Sequence, residues 1–244
     1  MKPGVVTLPA RLKAAGFATG LVGKLHVDPP KSFQFDMAHS GQGVSRHVPN
    51  VARWTAEFFA ASQAKPFFLV IGYLDPHRAF VPEMVGHPKR KFTGAEVAGS
   101  SPFNLMAKPE AAEVAAYDQC IARFDDGLGL PLAAVERAGL ASRTVIMVMR
   151  DNGPPFPGAK STCHEPGLRP PLVVAWPGIA PREITAPVSL IDIAPSVLFC
   201  AQDRRSETRS PRSAWRAGSR ANRGRPFRAG TFESIAACEG ANSE

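Results

Sequence analysis

The stretch that most limits what this chain can fold into is Arg143–Lys160, RTVIMVMRDNGPPFPGAK. Its first part, Thr144–Met149, is an unbroken apolar run rich in β-branched residues. A strand with one wet face alternates apolar and polar side chains. An unbroken run instead reads as a strand covered on both faces, the usual state in a parallel sheet between helices. The second part turns polar at once: Arg150, Asp151, Asn152 and Gly153, then a loop with three prolines, then Lys160. A buried strand that ends in adjacent oxygen donors and a glycine marks the carboxyl edge of a sheet, where open α/β folds carry their chemistry.

Two further runs repeat this plan. Phe17–Gly23 (FATGLVG) ends in Lys24, Leu25 and His26, and Phe67–Leu74 (FFLVIGYL) ends in Asp75, Pro76, His77 and Arg78. A fourth run, Leu172–Trp176, stops at Pro177 and Gly178. Helical patterns fall between them. Leu8–Gly16 is a short amphipathic helix closed by its glycine. Asn50 is placed to cap a helix over Val51–Gln63, where Val51, Trp54, Phe58 and Ala61 recur at helical spacing and Pro66 ends the pattern. Pro109–Ala138 carries Val114, Tyr117, Ile121 and Phe124 on one face, and Pro131 is expected to kink or divide it. Val188–Ala201 is a helix interrupted at Pro195. Val27–Pro49 and Ala79–Met106 read as long connections, and connections of that length are often functional. The alternation predicts an α/β domain over residues 1–201, with a largely parallel central sheet flanked by helices.

Hydrophobic residues make up 44% of the 244-residue chain and charged residues 20%, enough for a real core. The net charge of +8 is local. Arg204–Arg228 alone holds nine Arg against the single acid Glu207. Residues 202–244 therefore form a separate basic segment, poor in aliphatic side chains and without periodicity, whose composition predicts disorder. The abrupt loss of pattern after Phe199 favours aberrant, out-of-frame sequence over a nucleic-acid-binding tail. Basic charge without aromatic interleaving or a fold implies no specific nucleic-acid partner. No apolar run approaches the ~20 residues of a membrane span, and the first residues lack the apolar core of a signal peptide. The cysteines at 120, 163, 200 and 238 have no metal-finger spacing and are too sparse for a disulfide scaffold.

Three strand endings in one parallel sheet line up along one edge and can converge there. Lys24 and His26, two apart in extended chain, lie on one face about 7 Å apart. They suit an anion, or a solvated strand end. Asp151 and Asn152 offer a carboxylate and an amide oxygen, donors that suit Ca²⁺ or Mg²⁺ better than Zn²⁺. Asn-Gly is equally a turn pair, and two donors fall short of the roughly six to eight that Ca²⁺ takes. Lys160 could reach back over an anion or face water. His77, held behind Asp75 and Pro76, could be a general acid, an anion contact or a structural residue. His39, His47, His87 and His164 read as surface or structural residues. No Gly-x-Ser-x-Gly occurs, and nothing marks Cys163 as an activated thiol.

These residues resemble the sulfatase family of the alkaline-phosphatase-like superfamily. LPARLKAAGFATGLVGKLHV is similar to a sulfatase signature with its Gly-Lys-x-His ending. AAYDQCIARFDDGLGLPLAAVERAGLASRTVIMVMRDNG is similar to the helix and strand leading to a metal-binding Asp-Asn pair, and KSTCHEPGLRPPLVVAWPG to the strand that follows. FFLVIGYLDPHRAF and DNGPPFPGAK are most similar to the heparan N-sulfatase branch. The resemblance spans about Gly4 to Ala201. It implies an alkaline phosphatase/sulfatase-like fold and the hydrolysis of a sulfuric ester or sulfamate on a sulfated carbohydrate. Asp151 and Asn152 would bind Ca²⁺, or another divalent cation. Lys24 and Lys160 would hold the sulfate, His77 would protonate the leaving group, and His26 would assist turnover. Family members are usually periplasmic, secreted or lysosomal.

The family's catalytic residue is a formylglycine made from Cys or Ser in a C/S-x-P-x-R motif, and its hydrate attacks sulfur. No such motif occurs in this chain, nor does the family's first strand with its paired aspartates. The expectation is an incomplete sulfatase domain that begins after its nucleophile and is inactive or nearly so. Arg150, where the family usually has a small residue, adds a positive charge beside Asp151 that would weaken cation binding. The alternatives are a non-catalytic module binding sulfated or phosphorylated glycans through Lys24, His26, His77 and Lys160, or a phosphodiesterase or phosphonate hydrolase of the same superfamily.

Overall fold

The apolar runs become a single six-stranded sheet in the computed structural model, which describes residues 4–41, 43–62, 65–97, 111–202 and the backbone of Ser234–Glu239. In chain order the strands are β1 (Ala18–Gly23), β2 (Met37–Ser40), β3 (Phe67–Gly72), β4 (Thr144–Met149), β5 (Leu172–Ala175) and β6 (Ser234–Glu239). The helices are α1 (Leu8–Ala14), α2 (Val48–Ala61), the single turn α3 (Gly94–Val97), α4 (Ala111–Arg137), the single turn α5 (Glu165–Leu168) and α6 (Ile193–Gln202). Across the sheet the order is β2-β1-β3-β6-β4-β5.

β1, β2 and β3 are parallel. β6 is antiparallel to both β3 and β4, so β3 and β4 run the same way. The carboxyl ends of β1, β3 and β4 therefore share one edge, as their sequences suggest. The expected α/β architecture holds, with β1, β2 and β3 parallel, and the sheet also carries two antiparallel strands. β5 pairs antiparallel with β4. It is an outer strand whose Val173 and Val174 are exposed, so it never met the requirement of cover on both faces. The other antiparallel strand, β6, comes from the segment whose composition predicts disorder. Residues 203–233 and 240–244 lie outside the described residues. β2 is a further strand that sequence alone leaves inside a loop. Its four residues alternate between half-buried and exposed and contain no continuous apolar run.

The period of two in each strand divides the core into two layers. Phe67, Leu69 and Ile71 of β3 face one way with Ile146 and Val148 of β4, against Val48, Val51 and Phe58 of α2 and Ala134 and Val135 of α4. Phe68, Val145, Met147 and Met149 face the other way, against Leu12 of α1 and Val197 of α6. Helices thus cover both faces.

Three helix expectations change. Val188–Ala201 is not a helix interrupted at Pro195: α6 begins at Ile193 and carries Pro195 in its first turn. The cap of α2 is His47, not Asn50, and its Nδ1 accepts a hydrogen bond from the Asn50 backbone N–H. Pro131 does not divide α4, which is one helix over Ala111–Arg137. Pro131 has no N–H to give the carbonyl four residues back, Gly127 O. That carbonyl instead accepts the Tyr73 hydroxyl at 2.6 Å in the buried core. Gly127 makes the approach possible, since a Cβ there would lie 2.9 Å from the Tyr73 ring. Burial pushes the Tyr73 hydroxyl well above its ordinary pKa, so it stays a donor.

Candidate functional site

The carboxyl edge is drawn together first by backbone. Gly23 and Gly72 are partners at the ends of β1 and β3, and the Lys24 N–H donates to Gly72 O at 2.7 Å. A Cβ on Gly23 would lie 2.2 Å from Gly72 O, and one on Gly72 would lie 2.1 Å from Lys24 O. Only paired glycines permit this approach, which sets the Lys24 ending beside the β3 ending. Lys24 is half-buried there and His26 exposed.

The β3 ending is fixed by a buried ionic network. Asp75 lies between two guanidinium groups. Arg46 Nε donates to its Oδ1 at 2.9 Å, and Arg123 donates to its Oδ2 at 2.7 Å and its Oδ1 at 3.0 Å. The remaining donors hold the loop that follows: Arg46 Nη2 reaches the carbonyls of His77 and Ala79, and Arg123 Nη1 reaches that of Val81. Ser45 Oγ accepts the Leu74 N–H. Asp75, Arg46 and Arg123 are all buried, Arg123 completely. Buried charges at this density stand only when paired and hydrogen-bonded. Burial acts to lower the Arg123 pKa, but the Asp75 carboxylate outweighs it and raises it, so Arg123 stays charged. His77 is half-buried and its Nδ1 contacts the Arg78 carbonyl.

A third set of contacts ties the β3 ending to the β4 ending across β6. Arg78 Nε donates to Pro155 O at 3.0 Å, its other arm pairs with Glu113, and its guanidinium lies over the Phe80 and Phe156 rings. Phe80, Tyr117 and Phe156 pack edge-on or tilted, with centroids 5.2 to 6.0 Å apart. Beyond them the loop folds back on Pro154, whose carbonyl accepts the Lys160 N–H at 3.1 Å and so returns half-buried Lys160 toward the edge.

The β4 ending differs. Asp151 is buried, yet its Oδ1 has no hydrogen-bond partner among the described residues, and neither do Asn152 Nδ2 and Arg150 Nε. Arg150 turns one arm toward the Tyr117 hydroxyl, 2.8 Å away. A carboxylate oxygen left alone in the interior is costly, and it is the donor a hard cation takes. A turn of the Asn152 amide about its bond offers its oxygen in place of Nδ2. Asp151 and Asn152 therefore fit a divalent cation as partial ligands. No group of three or more His, Cys, Asp or Glu is arranged for a metal among the described residues.

The six residues chosen from sequence thus sit at three strand endings on one edge, coupled by the glycine pair and by Arg78. Sequence reading missed Arg46, Arg123 and Tyr73. Arg123 had a signal: it follows Cys120 and precedes Gly127 at helical spacing, a charge on an otherwise apolar or small-residue row. Arg46, inside a long connection, had none. The four other histidines are structural or exposed: His39 stacks on Trp54, His87 pairs with Asp126 at 2.7 Å, His47 caps α2 and His164 precedes α5.

A family model described as Sulfatase matches residues 2–203. N-sulphoglucosamine sulphohydrolase of Homo sapiens is 30% identical, over 80% of this chain and 44% of its own length. Steryl-sulfatase of Mus musculus is 27% identical, over 64% of the chain and 24% of its own length. N-acetylgalactosamine-6-sulfatase of Sus scrofa is 24% identical, over 71% and 40%. The chain spans less than half the length of these relatives.

Proposed function

The chain belongs to the sulfatase family, and on that premise we propose that its carboxyl edge binds the sulfate of a sulfated sugar, as an ester or a sulfamate, beside a calcium ion. The observation that carries the reading is the buried, unpartnered Asp151 Oδ1 at the strand end that Arg78 couples to His77. Asp151 and Asn152 would hold the ion. Bound there, it would supply positive charge next to an anionic oxygen. Lys24 and Lys160, on long flexible stems from either side, would neutralise the remaining charge of the anion. His77, positioned through its own carbonyl by Arg46, would hold a proton for the departing nitrogen or oxygen. His26, exposed beside Lys24, would exchange protons with water. No formylglycine motif occurs in this sequence. The chain by itself is proposed to bind its anion with little or no turnover.

Calorimetric titration with N-sulfoglucosamine, with and without Ca²⁺, tests this reading. The expected result is binding that needs Ca²⁺ and is lost in Asp151→Ala, with no sulfate released from that sugar or from an aryl sulfate. Robust turnover would refute the binding-only reading, and calcium-independent binding would refute the site. A phosphodiesterase or phosphonate hydrolase of the same superfamily would instead prefer a phosphorylated ligand in the same titration.

A further inference from the structure

The family match ends at residue 203, yet the sheet contains a strand from beyond it. β6 is not an added edge but the piece between β3 and β4. β3 and β4 run in the same direction and do not pair with each other. They are separated by two strand spacings, about 10 Å. β6 bridges them by backbone pairing on both sides, Phe68–Ile71 pairing with Cys238–Ile235 and Thr144–Met149 with Glu239–Ser234.

We infer that the slot between β3 and β4 is a strand-acceptor site, and that Ser234–Glu239 is a docked, exchangeable occupant of it. Residues 203–233 separate β6 from the end of α6 in sequence, so β6 is not the second strand of a tight hairpin. The two walls are built for a strand. Phe68, Leu69 and Ile71 on one side and Val145, Met147 and Met149 on the other are all buried, and an empty slot would open both ladders and wet these side chains. Pairing through main-chain groups on two sides gives affinity for an extended segment with modest demands on its sequence. Both walls run one way and the occupant the other, an arrangement in which each ladder has the better-aligned antiparallel bonds. The direction has a consequence at the edge. Ser234 pairs with Met149, two residues before Asp151, so a segment in this orientation enters the slot at the carboxyl end, beside the candidate site. The inference concerns the sheet and stands whether or not that site holds sulfate.

The test uses the full chain and its Ala237→Pro variant. Ala237 pairs with Leu69 on one side and Ile146 on the other, so proline there removes an N–H from the middle of the segment. Amide hydrogen exchange of β3 and β4 is compared between the two, and a labelled synthetic peptide of residues 230–243 is titrated into each. The expected result is a folded variant whose β3 and β4 amides exchange faster, which binds the peptide saturably and regains protection. The wild-type chain should bind the same peptide at least roughly tenfold more weakly, because a tether of roughly thirty residues keeps its own strand at high effective concentration. A peptide carrying the same proline should bind neither. Unchanged exchange in the variant would overturn the docking. Loss of cooperative folding in the variant would make β6 a permanent part of the core, and a folded variant that ignores the peptide would refute exchange.

Discussion

The endings of β3 and β4 lie on one edge and each buries an aspartate, but they are completed in opposite ways. At β3, Asp75 receives three guanidinium hydrogen bonds, and the leftover donors are used on the loop carbonyls. At β4, Asp151, Asn152 and Arg150 each keep a buried polar atom without a partner among the described residues. A satisfied network rigidifies its surroundings, and a partly satisfied one stores cost until something arrives to complete it. The β3 side is therefore a positioning frame, and the β4 side is where the proposed function places its cation.

The largest expected effect tests that contrast directly. Asp75→Ala leaves two buried arginines uncompensated and should cost about 3–5 kcal/mol. Asp151→Ala removes a group that the fold leaves unpaired and should change stability by less than about 1 kcal/mol. Urea unfolding of the two variants reads the difference. Comparable losses would erase the distinction between frame and seat.

Calcium should sharpen the contrast from the other side. At roughly one hundred times its dissociation constant, a ligand confined to the native state adds about 2.7 kcal/mol of stability. Wild-type chain should show this gain on adding Ca²⁺, followed as a shift in the urea midpoint, and Asp151→Ala should not. A gain that survives in Asp151→Ala would move the cation away from the β4 ending.

Smaller, but on the frame side, is the loss at Tyr73. Tyr73→Phe leaves the Gly127 carbonyl buried with neither the tyrosine hydroxyl nor a proline N–H to meet it, and should cost about 1–3 kcal/mol. In a Pro131→Ala background the helix has an N–H for that carbonyl, so the same tyrosine change should cost measurably less. Equal costs in both backgrounds would show that the hydroxyl does not replace the missing helix bond.

Much of this frame could be read from the chain and some could not, for physical reasons. Continuous apolar runs report burial on both faces, so β1, β3 and β4 and their shared direction were legible. The strand endings were legible for the same reason, since polar residues directly after such runs must lie at an edge. The antiparallel sense of β5 and β6 was not, because direction is decided by partners far away in the chain and leaves no local signature. That Pro131 does not divide α4 has a related reason. Its local rule is correct, but the compensating donor Tyr73 lies 54 residues away in sequence. The buried ion pairs of Asp75 were not legible because its partners, Arg46 and Arg123, come from a connection and from a distant helix.

The weakest tie on the frame side makes the finest test. The long connection after β3 is pinned to α4 where His87 Nδ1 meets Asp126 Oδ2 at 2.7 Å and the Lys89 N–H reaches the same oxygen at 2.8 Å. Partial burial raises the Asp126 pKa, but His87 and the Lys89 amide outweigh it, and the carboxyl titrates below its ordinary value of 3.8. A group whose folded pKa is depressed contributes stability that is present above its unfolded pKa and is lost as pH falls through the folded one. The wild-type urea midpoint should therefore decline as pH falls from about 5 toward 2, with part of that decline due to Asp126. Asp126→Asn cannot titrate. It should start slightly less stable near neutral pH and show a shallower acid decline, by a fraction of a kilocalorie overall. An acid limb of unchanged slope would mean that the connection is not held through this carboxylate, leaving the Arg46–Asp75–Arg123 network as the anchor of the loop that carries His77.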